Sequence, residues 1–248
     1  ESLAAVIEEY VKTGKSKLLH RLKGKTAPED LFEHVPGIGP ELAERINKLA
    51  SRCGFTLNGL FVMDGSKRSA HGNAYFTGFG KSRRIVFFDT LLSKLNGPEI
   101  EAVLAHELGH FKHKHIIKRM AISFFVALVS FALLGYVKNT IWFYEGLGAP
   151  PALMHSNDAL ALILFFMAVP VFTFLLSPLA SWFSRKDEFQ ADQYASEQTE
   201  AQSLVSALVK LYDDNAATLT PDPIHSAFYD SHPPASVRIQ HLLTGSKA

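Results

Sequence analysis

The sequence predicts a mainly α membrane protein with a small β-sheet, and three observations carry that reading. Two long stretches lack charged residues altogether: Met120 to Val137 over 18 positions and Ala159 to Phe183 over 25. As helices they reach about 27 Å and about 37 Å, against the ~30 Å hydrocarbon core of a bilayer. Between Phe55 and Phe88, short runs rich in aromatic and β-branched residues alternate as strands do. Just before the first uncharged stretch the apolar spacing is helical.

Taken in order, Glu1 to Lys25 is charged throughout and reads as amphipathic, with a helix over Glu1 to Lys23, not a signal peptide. Thr26 to Asp30 is a turn leading to a short helix, and Val35-Pro36-Gly37-Ile38-Gly39-Pro40 is a loop. This loop is similar to the hairpin of helix-hairpin-helix DNA-binding proteins, but it is a single copy without a basic surround. A helix follows from Glu41 to Cys53. Strands are expected at Phe55 to Met63, Asn73 to Phe79 and Ile85 to Phe88, with Lys81 to Arg84 as a turn. A short helix covers Thr90 to Lys94. Asn96-Gly97-Pro98-Glu99 then starts another: a capping residue, a proline suited to the first turn, and an acid favoured by the helix dipole. Val103, Leu104, Leu108 and Phe111 give that helix an apolar face. Pro170 and Pro178 are expected to kink the second apolar helix, which membranes tolerate.

The charge balance, 25 basic against 24 acidic residues, leaves no broad basic field for nucleic acid. Cys53 is the sole cysteine, so an internal disulfide and a thiolate zinc cluster are both excluded; a small buried residue is its expected role. Lys112, Lys114, Lys118 and Arg119 precede the first apolar segment, and Arg185 and Lys186 follow the second. By the positive-inside rule this end faces the cytoplasm. Trp142, Phe143, Tyr144 and Trp182 suit the interfacial belts.

The helix after Asn96 carries His106-Glu107-Leu108-Gly109-His110, an HExxH motif. Residues i and i+4 share a helix face, so both histidines can bind one metal ion, while Glu107 can reach a metal-bound water as general base. The motif alone also occurs by chance on solvated helices. Catalytic zinc usually takes three protein ligands. The position of a third histidine in a HExxHxxGxxH pattern is Ile116, and His113 and His115 lie off that spacing. They read as a solvated or interfacial basic face. Glu188 and Asp192 form an i, i+4 acidic pair just beyond the second apolar segment. Glu188 could reach the metal and Asp192 could orient a ligand histidine; spacing does not separate this from an ordinary charged helix face.

Four blocks carry a resemblance: NAYFTGFGKSRRIVFFDTLL from Asn73 to Leu92, HELGH from His106 to His110, SRKDEFQAD from Ser184 to Asp192, and SHPPASVRIQ from Ser231 to Gln240. In order and separation the chain resembles the CAAX prenyl protease type 1 family, membrane-integral zinc endopeptidases that process prenylated mating pheromone and prelamin A. The resemblance implies a zincin-like metalloprotease core with transmembrane helices. It implies one zinc ion held by His106, His110 and Glu188, with Glu107 as base and Asp192 behind a ligand. Asn73, His232 and Arg238 line the substrate site by the same resemblance, His232 and Arg238 also partnering the oxyanion. Phe111 stands where the family often has Trp. The family has about seven membrane helices around a water-filled chamber; two are visible here, as expected for a C-terminal portion, of bacterial type.

The expected layout is residues 1–118 and 184–248 as parts of the catalytic domain, membrane helices at 119–138 and 159–183, and a connection at 139–158. The expected partners are a peptide or protein substrate, prenylated or not, and membrane lipid. The expected location is the bacterial inner membrane or the endoplasmic reticulum. The rival family is the bacterial heat-shock membrane protease, a quality-control enzyme sharing HExxH, the Glu ligand and the terminal His-Pro-Pro…Arg. The long NAYFTGFG…FFDTLL block and EFQAD favour the CAAX type. A metal-structured scaffold has no use for Glu107.

Overall fold

The computed structural model describes residues 38–67, 69–77, 83–150, 158–214 and 221–245. The expected helix at 1–23, the turn at 26–30 and the tip at 81–82 lie outside them. Helix α1 (Pro40–Arg52) leads to strand β1 (Leu57–Met63), and strands β2 (Ala74–Thr77) and β3 (Arg83–Phe88) follow. The helices after them are α2 (Asp89–Lys94), α3 (Gly97–Lys112), α4 (His115–Val137) and α5 (Ile141–Gly146). Helices α6 (Asp158–Gln198), α7 (Ala201–Asp214), α8 (Pro223–Tyr229) and α9 (Ala235–Gly245) complete the described chain.

The sheet has β3 at its centre. β1 runs parallel to it, Leu60 opposite Ile85 and Met63 opposite Phe88. β2 runs antiparallel, Ala74 opposite Phe87 and Thr77 opposite Arg84. At Gly59 a positive φ of 156° accompanies the register shift between Leu57 and Leu60; only glycine accepts that backbone freely. Ile85 and Phe87 of β3 join Leu104 and Leu108 of α3 and Leu204 of α7 in one core, all essentially without solvent exposure. Cys53 is buried in it, as its size suggests.

Helix α3 is anchored at its start. Asn96 Oδ1 accepts from the Glu99 N–H at 3.0 Å and Glu99 Oε2 accepts from the Asn96 N–H at 2.8 Å, a reciprocal cap. The buried Glu99 carboxylate also receives Ser206 Oγ and Lys210 Nζ of α7, each at 2.7 Å. Burial alone would raise this carboxyl, but the bonds from Lys210, Asn96 and Ser206 outweigh it and hold its pKa below the ordinary value. Glu99→Ala is expected to cost about 2–3 kcal/mol, one cap plus charge-assisted bonds. The ordinary carboxylate pKa is about 4.3, and the folded value is lower. The contribution is therefore present above that range and lost as pH falls through the folded value. Thermal melting in detergent across pH checks both: parent and variant should converge in acid.

Among the described residues, helices α4 and α6 are long and apolar enough to cross a membrane. Their apolar windows are only 6% and 11% buried, with Phe124, Phe125, Leu128, Phe172 and Leu175 all largely exposed. A core helix would hide those side chains; lipid is the solvent that accepts them. Helix α6 is longer than its apolar stretch and runs 41 residues through Pro170 and Pro178 without a break. The apolar stretch and the acidic pair therefore share one continuous helix. The aromatic belt differs from expectation on one side. Trp142 is exposed, but Phe143 and Tyr144 are buried in a small cluster with Val137, Ala161 and Phe165, and Tyr144 Oη donates to the Lys138 carbonyl at 2.9 Å.

Candidate metal centre

Helices α3 and α6 make the most extensive helix–helix contact of the described chain. Gly109 permits it: a Cβ there would lie 2.9 Å from Ala191 Cα and 3.1 Å from the Ala191 carbonyl oxygen. Because α3 lies so close, His106 and His110 face Glu188. Their Nε2 atoms are 3.2 Å apart, and each lies 3.5 Å from a Glu188 carboxylate oxygen. A tetrahedral ion with bonds of about 2.0–2.1 Å has ligand–ligand edges of about 3.3–3.4 Å. His106 Nε2 meets Oε2 and His110 Nε2 meets Oε1, so the Glu188 carboxylate faces both nitrogens at close to that spacing, and these residues form the possible metal-holding group among those described.

The donor chemistry also fits. Glu188 is buried, and its Oε2 accepts no well-aligned hydrogen bond, although His232 Nδ1 lies 3.0 Å away and Arg238 Nη1 3.6 Å away. Such an oxygen suits a cation. Burial would raise the Glu188 carboxyl, but contacts with His106 and His232 dominate and hold it well below the carboxylate range. For His106, burial opposes the charge, yet the bonds to Asp192 and Glu188 lift it to about 8. His110 is pushed down to about 4 by burial and the neighbouring His106.

Behind the three groups, Asp192 Oδ1 lies 2.9 Å from His106 Nδ1, which leaves Nε2 for the metal side. Arg238 is buried and grips Asp192 from below, Nε to Oδ2 at 2.8 Å and Nη2 to Oδ1 at 2.5 Å. Only its Nη1 points toward Glu188, so most of the guanidinium is engaged away from the open side. His232 is largely exposed there and faces Glu188. Arg185 Nη1 donates to the Ser226 and Asp230 carbonyls at 3.0 and 3.2 Å, tying the segment before His232 to α6. Glu107 is half-buried; burial raises its carboxyl, and the charges of His106, Glu188, His232 and Arg238 all act on it.

Asn73 precedes β2, exposes its side chain and accepts from the Phe88 N–H through its carbonyl at 2.9 Å. β2 is an edge strand, and Phe76 on it packs edge-on against Phe111 of α3 with ring centroids 5.3 Å apart. One expectation fails: His115 is not on a solvated face. It is buried, with Nδ1 2.9 Å from His110 Nδ1 and Nε2 3.0 Å from Gln190 Oε1. The helical count from His110 breaks at Lys114, which is left-handed (φ 57°, ψ 33°) between α3 and α4. No motif marks His115, and Gln190 stands within the SRKDEFQAD block without a role that the block assigns.

The profile of peptidase family M48 matches residues 39–245. The chain belongs to this family. A CAAX prenyl protease 1 homolog from Arabidopsis thaliana is 40% identical over 205 residues, covering 82% of this chain and 47% of that protein. CAAX prenyl protease 1 of Saccharomyces cerevisiae is 38% identical over 220 residues, covering 82% and 47%. The human homolog is 35% identical over 244 residues, covering 82% and 50%. The crystal structure of S. mikatae Ste24p superposes with a TM-score of 0.72 at 37% identity, covering 81% of this chain and 49% of that one. The M48 chain thus spans about half the length of the curated relatives it matches.

Proposed function

We propose that this chain forms the catalytic half of a membrane zinc endopeptidase that trims CAAX-type C-termini, with His106, His110 and Glu188 as ligands. The observation that carries the reading is the pair of Nε2 atoms 3.2 Å apart, each 3.5 Å from one oxygen of the Glu188 carboxylate, beside a glutamate with a raised carboxyl. Zinc bound there supplies a Lewis acid, which makes water nucleophilic near neutral pH and polarises the scissile carbonyl. Glu107 takes the proton from the attacking water and delivers it to the leaving amine; a raised carboxyl suits both transfers. His232, exposed beside Glu188, is placed to donate to the developing oxyanion. Arg238 contributes positive charge through Nη1 while holding Asp192 and, through it, His106. The outer edge of β2, with Asn73 at its start, takes the substrate backbone as an added strand.

The apolar helices α4 and α6 flank the site's membrane side, with Arg119 and Asp187 ion-paired at 3.2 Å beside the ends of their apolar stretches. This favours a substrate delivered from the bilayer with its lipid, and the basic flanks favour the cytoplasmic side of the inner membrane or endoplasmic reticulum for the site. The test is cleavage by the full-length protein in detergent of a farnesylated CAAX peptide against its unprenylated form. Faster, chelator-sensitive cleavage of the farnesylated peptide is expected. Equal rates would remove lipid recognition from the proposal and favour a quality-control protease.

A further inference from the structure

The metal-facing nitrogens leave each histidine one ring nitrogen to be satisfied behind it. His106 meets a carboxylate, Asp192, as ligand histidines commonly do. His110 meets another histidine: its Nδ1 lies 2.9 Å from His115 Nδ1. For His110 Nε2 to keep a lone pair toward the metal side, its Nδ1 must carry the proton and donate it. His115 Nδ1 must then accept, which puts the His115 proton on Nε2. That nitrogen faces Gln190 Oε1 at 3.0 Å and Asp187 Oδ1 at 3.5 Å, both acceptors. With a metal at His110 Nε2, this proton arrangement satisfies every atom of the row.

We propose that His115, its tautomer set by Gln190, is a positioning residue that holds His110 in the metal-binding tautomer. The inference rests on the metal-centre reading above. The backbone supports it. A residue five positions after His110 on an unbroken helix would face away. The left-handed turn at Lys114 ends α3, and α4 starts with His115 turned back to the same side, buried with its ring stacked on His113 at 5.5 Å. A non-glycine residue adopts that backbone at a cost of about 1 kcal/mol or more, and here the gain is the seat behind His110. Gln190 lies on α6 two positions after Glu188, so the same helix carries both the acid that faces His110 and the amide that fixes its support.

The test compares His115→Asn with His115→Leu in the full-length protein, since Asn Oδ1 takes nearly the place of His Nδ1 and Leu offers no acceptor. Zinc affinity is read by chelator competition, the ligand field from the absorption of the Co(II)-loaded protein, and folding from melting of the metal-free form. Expected are zinc binding weakened about 10–100-fold in His115→Leu with a changed Co(II) spectrum, and binding within a few-fold of the parent in His115→Asn. A mere packing role reverses that order, because Leu fills a buried site better than Asn. Parent-like affinity in the Leu variant, or equal losses in both, overturns the inference. Should neither variant fold, Gln190→Leu decides: weaker zinc binding supports the role and unchanged binding overturns it. A parent that binds no zinc refutes the metal centre itself.

Discussion

Glu107→Gln is expected to keep its zinc and lose peptidase activity by about 10²–10⁴-fold, the range of general acid–base catalysis. The substitution preserves shape and hydrogen-bonding reach but cannot carry a proton between water and leaving amine. The half-buried position and the burial that raises the Glu107 carboxyl concern the proton, not the metal, since the three candidate ligands are His106, His110 and Glu188. Elemental analysis should therefore find one zinc per chain in parent and variant alike, with turnover lost in kcat. Wild-type cleavage by the variant would show that another group is the base.

Gly109→Ala should be nearly as damaging by a different route. On an isolated helix the change stabilises by about 1 kcal/mol. Here the new methyl would stand 2.9 Å from Ala191 Cα and 3.2 Å from Tyr194 Cβ, backbone and branch-point atoms that cannot swing aside. Helix α3 must move off α6, and Glu188 moves away from His106 and His110 with it. A displacement near 1 Å at a reacting centre costs about 10²-fold. The expected result is reduced zinc content together with reduced cleavage, in a protein whose far-ultraviolet circular dichroism remains helical. Full zinc occupancy in Gly109→Ala would mean the α3–α6 contact is looser than the geometry requires.

Much of this was written in the chain. Asn96 and Glu99 specify a helix start because their side chains bond backbone groups three residues away, and His106 and His110 share a face because i and i+4 must. Two uncharged stretches need lipid wherever the rest of the protein lies. The four blocks from Asn73 to Gln240 tie those elements to one protease family, and family membership follows from the sequence alone. All of these are local rules or direct matches, and they survive without a tertiary fold.

What the sequence left open depends on distances between segments far apart in the chain. Spacing could not choose between Glu188 as ligand and Glu188 as one more surface acid; the 3.5 Å approaches to His106 and His110 across 82 and 78 positions favour the former. Arg238 looked like a residue for the substrate, and the fold turned most of its guanidinium onto Asp192. His115 reads as part of a solvated or interfacial face because it lies off the spacing of a third metal histidine, but the left-handed residue Lys114 turns it back behind His110. The sequence by itself determined the family and the helix that presents His106, Glu107 and His110, since identity and helical period are local. Only the tertiary structure decided which of them meet and what stands behind each. That outcome hangs on how closely two helices pack at Gly109, and no local rule encodes a contact with Ala191.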